Sequence, residues 1–420
     1  MRTGTVLTLI MIVLLSACTR RLPPSAALTE PATTGAPARA VDSPSPAAVE
    51  TTPPPETGPA ATETAPPEPG AEAPPAGWIA YIAVDGNLWM VDRVSGERLQ
   101  LTQDGAPAAA PPGDTGVTVN YRSPKWSFDG RYLAYQKELF TPQPQGLSYS
   151  SELWVYDIDS SDARLLIEDQ IINGFDWQPG AHKLVYGMPV KPDYFTGRGQ
   201  VNTAAAHGLW SLDVDSGENS ELVPPEGGFS LINPVWWGEG RFLTFEEIYL
   251  MEGRGRFAYY DFETGQYMSW EEPVGGHSLD ESGARLAYDT LVYIPTGTER
   301  IWMRDLEGGE PQPVSPEYEP GYAYNPVFSP QGDRLAYLAS LEGPESQEIA
   351  LFVIDPDGGE PQHLGLFEQP QNLSWSPDGS RLIFSAGPYD QPQLMEAAVE
   401  SGEVRNLGGG SQPAWQPVQP

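Results

Sequence analysis

The chain has 420 residues, of which 57 are Asp or Glu and 23 are Lys or Arg, giving a net charge of −34. This acidity argues against a nucleic-acid partner, because phosphate binding needs clustered Lys and Arg. Cys18 is the only cysteine, so no internal disulfide can form. The composition therefore favours an acidic protein without disulfides whose partners are not nucleic acids.

The first residues predict export. Arg2 precedes an apolar run from Val6 to Leu15, too short to span a bilayer and typical of a secretory signal. The run ends in Leu15-Ser16-Ala17-Cys18, which resembles the lipobox of bacterial lipoproteins. The resemblance implies cleavage after residue 17 and lipidation of Cys18, and so an extracytoplasmic protein anchored to a bacterial membrane. The alternative is an ordinary signal peptide that ends near a cysteine.

A linker is predicted between this signal and the rest of the chain. Residues 19–76 contain 15 prolines and no aromatic residue. Such a segment cannot bury enough apolar surface to offset the entropy lost on ordering. We therefore expect three parts: a signal peptide at 1–17, a lipidated cysteine and disordered linker at 18–76, and a folded domain at 77–420.

The folded domain is built from a repeated cassette. Its cleanest copy is Trp375-Ser376-Pro377-Asp378-Gly379, followed by a second apolar strand that includes Phe384. Equivalent positions recur about every 48 residues, within the range of propeller blades. They are Trp126, Trp177, Trp236, Leu279, Phe328, Trp375 and Trp415. Two further strands in each unit give four, so the sequence predicts an all-β protein with a single β-propeller.

The two ends of this domain indicate how the ring closes. Trp78-Ile79-Ala80-Tyr81 matches the second strand of a cassette, whereas Pro413-Ala414-Trp415 matches the first. The C-terminal strand should therefore pair into the first blade, which removes two exposed sheet edges. This arrangement predicts seven four-stranded blades. The alternative is six blades, because the unit around Leu279 lacks the aromatic residue.

The cassettes resemble TolB-like (WD40-like) propeller repeats, whose hallmark is a Trp-Ser-Pro-Asp-Gly turn followed by Leu-Ala-Phe or Leu-Ala-Tyr. The resemblance covers about residues 77–417. The chain departs from TolB in having an anchor and linker in place of an N-terminal α/β domain, and seven predicted blades instead of six. The partners of TolB are therefore not carried over.

Motifs for catalysis or cofactor binding are few. The four histidines, at positions 182, 207, 277 and 363, lie on different units without metal-ligand spacing. No Gly-x-Ser-x-Gly elbow and no nucleotide-binding fingerprint occurs. Asp157 to Asp162 could suggest a calcium loop, but it falls at a hairpin that every blade repeats. We expect no metal, no cofactor and no catalytic residues.

Binding residues are expected on one face. The loops between second and third strands are long, and they share a face, here called the long-loop face, with the connections between blades. Tyr and Arg, which are enriched in interface hot spots, gather there. The candidates are Tyr149, Tyr194, Phe195, Arg198, Tyr249, Arg254, Tyr293, Tyr318 and Tyr322. The alternative for each aromatic residue is that it pins its own loop.

The sequence thus predicts a monomeric, lipid-anchored propeller that binds a protein, peptide or glycan through the long-loop face, with the lipid as its only contact with the membrane. One alternative is a lyase or glycosidase type of enzyme with carboxylates around the central channel. The other is a passive structural protein of the envelope.

Overall fold

A computed structural model describes residues 77–107, 116–144, 146–187, 207–226, 229–248, 255–272, 274–290 and 299–417. In these residues the protein forms seven antiparallel four-stranded sheets, the blades of a β-propeller, and no α-helix. The predicted signal peptide, Cys18 and the linker lie outside the described residues.

The first three blades run from the inner to the outer strand as follows. Blade 1 contains β28 (Ser411–Trp415), β1 (Trp78–Ile82), β2 (Leu88–Asp92) and β3 (Arg98–Gln100). Blade 2 contains β4 (Thr118–Trp126), β5 (Tyr132–Gln143), β6 (Gly146–Asp157) and β7 (Asp162–Gln170). Blade 3 contains β8 (Phe175–Trp177), β9 (Lys183–Gly187), β10 (Leu209–Asp213) and β11 (Asn219–Val223).

The other four blades keep the same order. Blade 4 contains β12 (Ser230–Trp237), β13 (Phe242–Ile248), β14 (Arg256–Asp261) and β15 (Gln266–Ser269), with a 3-10 turn at Gly238–Gly240. Blade 5 contains β16 (His277–Leu279), β17 (Arg285–Tyr288), β18 (Trp302–Asp305) and β19 (Gln312–Pro313). Blade 6 contains β20 (Tyr322–Phe328), β21 (Leu335–Ser340), β22 (Glu348–Ile354) and β23 (Gln362–Glu368). Blade 7 contains β24 (Gln371–Trp375), β25 (Arg381–Ala386), β26 (Gln393–Ala398) and β27 (Val404–Gly409).

The predicted closure is confirmed. β28 pairs antiparallel with β1, with Trp415 opposite Ile79 and Ala414 opposite Ala80. The weak unit around Leu279 is a genuine four-stranded blade, so the alternative of six blades is wrong. The last strand of the chain therefore supplies the inner strand of the first blade.

The hydrophobic core is divided among the contacts between blades. The described residues form seven buried clusters, each of which combines residues of two neighbouring blades, including blades 7 and 1. Successive residues of a second strand enter different clusters: Leu335 packs toward blade 5 and Ala336 toward blade 7. β21 and β25 are therefore buried on both faces.

The repeated turn also has a local explanation. Ser376 Oγ donates to Asp378 Oδ1 at 2.6 Å and accepts the backbone N–H of Arg381 at 3.0 Å. Gly379 has φ +69°, a left-handed conformation that glycine adopts without strain. The Ser-Pro-Asp-Gly sequence thus determines the hairpin between the first and second strands. These turns and the third-to-fourth-strand hairpins share the face opposite the long-loop face, here called the short-turn face.

One predicted long loop is instead an extension of the sheet. Residues 137–143 pair with residues 146–152 and so continue the β5–β6 hairpin to the pair Gln143 and Gly146. Phe140 and Tyr149 pack against each other on this extension, with ring centroids 5.2 Å apart. Blade 2 therefore projects from the long-loop face as a β-hairpin.

Candidate functional site

The inner strands share a bulge that shapes the central channel. In six of the seven blades, the residue three positions before the repeated core position has a left-handed backbone, with φ between 51° and 80°. These residues are Ser123, Gly174, Asn233, Asn325, Asn372 and Gln412. The strand register shifts at five of them, as a β-bulge requires. Gly276 holds the seventh position without a left-handed φ.

Bulges of neighbouring blades touch one another around the channel. The backbone N–H of Ser123 in blade 2 donates to Gln412 Oε1 in blade 1 at 2.7 Å. Asp289 Oδ2 accepts the N–H groups of Gly276 at 3.1 Å and of Asn325 at 2.7 Å, which joins blades 5 and 6. The bulges therefore turn backbone polar groups toward neighbouring blades and expose side chains at the channel.

A cavity of about 600 Å³ opens beside these bulges, between blades 7, 1 and 2. Its walls are the starts of inner strands β4, β24 and β28, together with the β1–β2 and β25–β26 connections. Second-to-third-strand connections lie on the long-loop face, so the cavity opens on that face. Its volume lies within the range of small-molecule sites, about 300–1,000 Å³.

Neutral polar side chains line this cavity together with a similar share of apolar surface. It contains five carboxamides, namely Asn120, Gln369, Gln371, Asn372 and Gln412, and the hydroxyls of Ser123, Ser385 and Ser411. Two further lining residues are largely exposed, Tyr389 at 76% and Val84 at 45%. The lining thus offers both hydrogen bonds and apolar contact.

Arg122 brings the one positive charge among the described lining residues. Its Nε donates to Glu138 Oε2 at 2.5 Å, and Tyr149 Oη donates to the other oxygen of that carboxylate at 2.9 Å. Burial alone would lower the pKa of Arg122, but the Glu138 carboxylate outweighs it and raises that pKa. Burial and the same carboxylate raise the pKa of Tyr149. Arg122 therefore stays charged and is held in place by a buried partner.

Acidic side chains are missing from this lining, within the part of the chain that the structure describes. Glu138 lies behind Arg122, and Glu247, which is 3% exposed, is held by Arg256 and Tyr267 at 2.8 and 2.6 Å. Paired carboxylates that face an open site are what glycoside hydrolysis requires. Among the described residues, the lining of this cavity presents no such pair.

The nine predicted binding residues lie only partly within the described ranges. Tyr149 does not line the cavity but donates to Glu138, which pairs with the lining residue Arg122. Tyr318 Oη lies 2.7 Å from Tyr337 Oη and its ring stacks on Phe352, and Tyr322 is buried at 8% exposure. Both therefore contact their own blade. The other six lie outside the described residues: Tyr194, Phe195, Arg198, Tyr249, Arg254 and Tyr293.

The sequence reasoning missed polar cavity residues such as Arg122, Asn372 and Gln412 because they belong to strands. One signal was present: the position three before the repeated core residue is Ser, Gly, Asn or Gln in every copy. Asn and Gly are enriched where the backbone is left-handed. A bulge, and hence a shaped channel wall, could have been inferred from that pattern.

Metal-binding clusters are absent from the described ranges, which hold no group of three His, Cys, Asp or Glu that could bind a metal ion. Asp157, at the segment that could suggest a calcium loop, forms a turn, since its Oδ1 accepts the N–H of Asp159 at 2.9 Å. Within the same ranges, no helix has the length and apolar character needed to cross a membrane.

Comparisons with known proteins agree on the architecture. No protein-family model matches the chain. Dipeptidyl-peptidase 5 of Porphyromonas gingivalis is 27% identical over 141 residues, which are 32% of this chain and 20% of that protein. The match therefore spans only a fifth of the length of that relative.

Solved structures are similar over most of the chain at low identity. A prolyl endopeptidase superposes with a TM-score of 0.58 and 13% identity, covering 81% of this chain and 49% of that one. An oligogalacturonate lyase in complex with manganese superposes with a TM-score of 0.52 and 16% identity, covering 80% of this chain and 85% of that one. TolB from Acinetobacter baumannii superposes with a TM-score of 0.46 and 13% identity, covering 81% of this chain and 67% of that one. At such identities the first two likenesses show the fold alone, and that fold is a β-propeller, here with seven blades.

Proposed function

We propose that this protein is a lipid-anchored, extracytoplasmic binding scaffold that takes a protein, peptide or glycan ligand on its long-loop face. The observation that carries the proposal is the cavity of about 600 Å³ on that face, with carboxamides and Arg122 in its walls. Concave sites with a few polar groups beside apolar surface are typical of ligand binding. The location rests on Leu15-Ser16-Ala17-Cys18 and the proline-rich segment after it.

Binding on this face can be tested by pull-down from envelope extracts with residues 77–420, which contain all seven described sheets. Two variants probe the face: Asn120→Ala with Tyr389→Ala in the cavity, and Tyr194→Ala, Phe195→Ala and Arg198→Ala in the predicted loop. The control is Val94→Ala, which is 68% exposed on the short-turn face. We expect a partner recovered by the parent and the control but lost from at least one face variant. Equal recovery by all four proteins would contradict the proposal.

The anchor has a separate test. Labelled palmitate should enter the parent chain expressed in a bacterium, and Cys18→Ser should abolish both labelling and membrane fractionation. If Cys18→Ser fractionates as the parent does and the parent carries no label, an ordinary signal peptide explains the N-terminus.

A further inference from the structure

The amide of Gln412 presents a hydrogen-bond donor to the cavity, because its oxygen already accepts a hydrogen bond from the protein. The backbone N–H of Ser123 can only donate, so the oxygen of the Gln412 amide must face it, at 2.7 Å. Within the described residues, the Nε2 group of Gln412 makes no hydrogen bond to protein. The nearby Gln416 in the same chain segment differs, because its Nε2 group donates to the carbonyl of Gly130. Gln412 is thereby oriented as a donor toward the cavity.

Arg122 is oriented in the same way. A guanidinium carries five N–H donors, and Glu138 takes the one on Nε. The side chain of Arg122 is 45% exposed, whereas that of Glu138 is 11% exposed. The carboxylate thus fixes the guanidinium from behind and leaves its Nη groups at the cavity. Asn120 and Gln371 add amides that make no side-chain hydrogen bond within the described residues.

The charge of this cavity contrasts with that of the whole protein. The chain carries a net charge of −34, yet the described lining holds one guanidinium and no carboxylate. An arginine fork with neutral donors beside it matches a planar carboxylate, which accepts paired N–H bonds. Because Glu138 already pairs with Arg122, the site offers free N–H donors with little net positive charge, which suits a monoanion better than a phosphate dianion.

We propose that this cavity binds a small ligand through a carboxylate held by Arg122 and Gln412, with the body of the ligand against Val84 and Tyr389. The inference rests on the proposed function and specifies its ligand class. The carboxylate has two sources of the same chemistry, the C-terminus of a short peptide and a sugar acid. The test separates them.

The experiment is calorimetric titration of the full chain at low ionic strength with two matched pairs of probes. One pair is N-acetyl-alanyl-alanine and its C-terminal amide, and the other is methyl glucuronide and methyl glucoside. We expect one carboxylate to bind at least about ten-fold more tightly than its neutral partner, and added salt to reduce the difference. The pair that shows the difference identifies the source.

Two variants assign the effect to the named residues. Arg122→Gln combined with Glu138→Gln removes the cation without leaving a buried carboxylate unpaired, and should abolish the preference. Gln412→Glu keeps an oxygen that can accept the N–H of Ser123 and places a negative charge in the cavity. It should therefore abolish carboxylate binding, and it provides an independent test if the double variant does not fold. Arg405→Gln, on β27 away from the cavity, is the matched control and should bind as the parent does.

The inference is overturned if each neutral probe binds as tightly as its acid, if Gln412→Glu keeps the preference, or if neither acid binds up to about 10 mM. If a neutral probe binds and Asn120→Ala abolishes that binding, the proposed function stands, but the ligand is not recognised through a carboxylate. A pull-down in which the parent and every variant behave alike would, by contrast, remove the proposed function itself.

Discussion

Arg93 and Glu396 are 303 residues apart in the chain, yet Arg93 Nη2 lies 2.8 Å from Oε1 and 2.6 Å from Oε2 of Glu396. Arg381 Nη1 donates to the same Oε1 at 2.9 Å. The side chain of Glu396 is 1% exposed and those of the two arginines are 11% and 7% exposed. This buried group joins blade 7 to blade 1 beside the strand that closes the ring.

Replacing Glu396 by Gln should therefore destabilise the propeller by about 3 kcal/mol, because it removes the buried carboxylate that both guanidinium groups contact. The measurement is the midpoint of urea unfolding. Glu403→Gln, which breaks the exposed pair with Arg405, should leave the midpoint unchanged. Similar shifts for both variants would show that the buried group does not stabilise closure.

Gly174 lies at a bulge where no side chain fits. Its φ is +80°, and a Cβ there would lie 2.6 Å from the Cα of Asn233 in the next blade. Gly174→Ala should cost about 2–4 kcal/mol, from the backbone conformation and the clash together. Gly217, which has φ +75° and no atom within 4 Å of the place a Cβ would take, isolates the conformational part.

Gly217→Ala should accordingly cost only about 1 kcal/mol. Both free energies come from chemical unfolding of the same domain. Equal costs at the two sites would mean that the neighbouring bulge moves aside.

Several tryptophans of the repeat join their blade to the preceding one. The Nε1 groups of Trp126, Trp177 and Trp375 donate to the carbonyls of Ala414, Lys125 and Val327 at 2.9–3.1 Å. The buried Nε1 of Trp236 has no such partner among the described residues. The same residue type thus occurs with and without the bond between blades.

Trp177→Phe should destabilise the protein by about 1–2 kcal/mol more than Trp236→Phe, since only the first change leaves a carbonyl without its donor. Thermal and urea unfolding of the two variants measure the difference. A larger loss at Trp236 would contradict this assignment.

His182 links two blades on the short-turn face. Its Nε2 and Nδ1 lie 2.9 Å from Asp129 Oδ2 and Asp215 Oδ2. Burial alone would lower the pKa of His182, but hydrogen bonds with the two carboxylates outweigh it and raise that pKa. The histidine therefore binds its proton more tightly in the folded protein than in the unfolded chain.

The resulting stabilisation should be fully present below the unfolded pKa of about 6.5 and be lost as the pH rises through the folded pKa. Its size should be about 1 kcal/mol, since Asp215 is half-exposed. The difference in unfolding free energy between the parent and His182→Gln, measured from about pH 5.5 to 8.5, should shrink with rising pH. A constant difference would rule out the charged bridge.

Much of the architecture followed from spacing in the sequence. Trp375 and its six equivalents mark the inner strands at regular intervals. The strand at Trp78 matches the second strand of a cassette and the strand at Trp415 matches the first, which predicted that the last strand closes the ring. These features are local and repeated, because every blade needs the same turn and the same contacts with its neighbours. The unit at Leu279 was ambiguous only because one aromatic residue is replaced by an aliphatic one.

The cavity could not be predicted in the same way. Arg122, Asn372 and Gln412 come from three blades, and their meeting depends on where bulges interrupt the inner strands. The sequence emphasised aromatic residues in connections instead. Two of these contact their own blade: Tyr318, in a connection, packs on the nearest sheet, and Tyr322 is the first residue of β20 and packs against Tyr324.

The position of β28 in the chain sets the order of events during synthesis. β1, β2 and β3 leave the ribosome first, and β1 then lacks its inner neighbour until residues 411–415 have been translated. At roughly 5–20 residues per second, that interval is on the order of tens of seconds. An unpaired strand edge is a template for association with other chains throughout that time. Any truncated product that ends before residue 411 would keep such an edge permanently and be prone to aggregate.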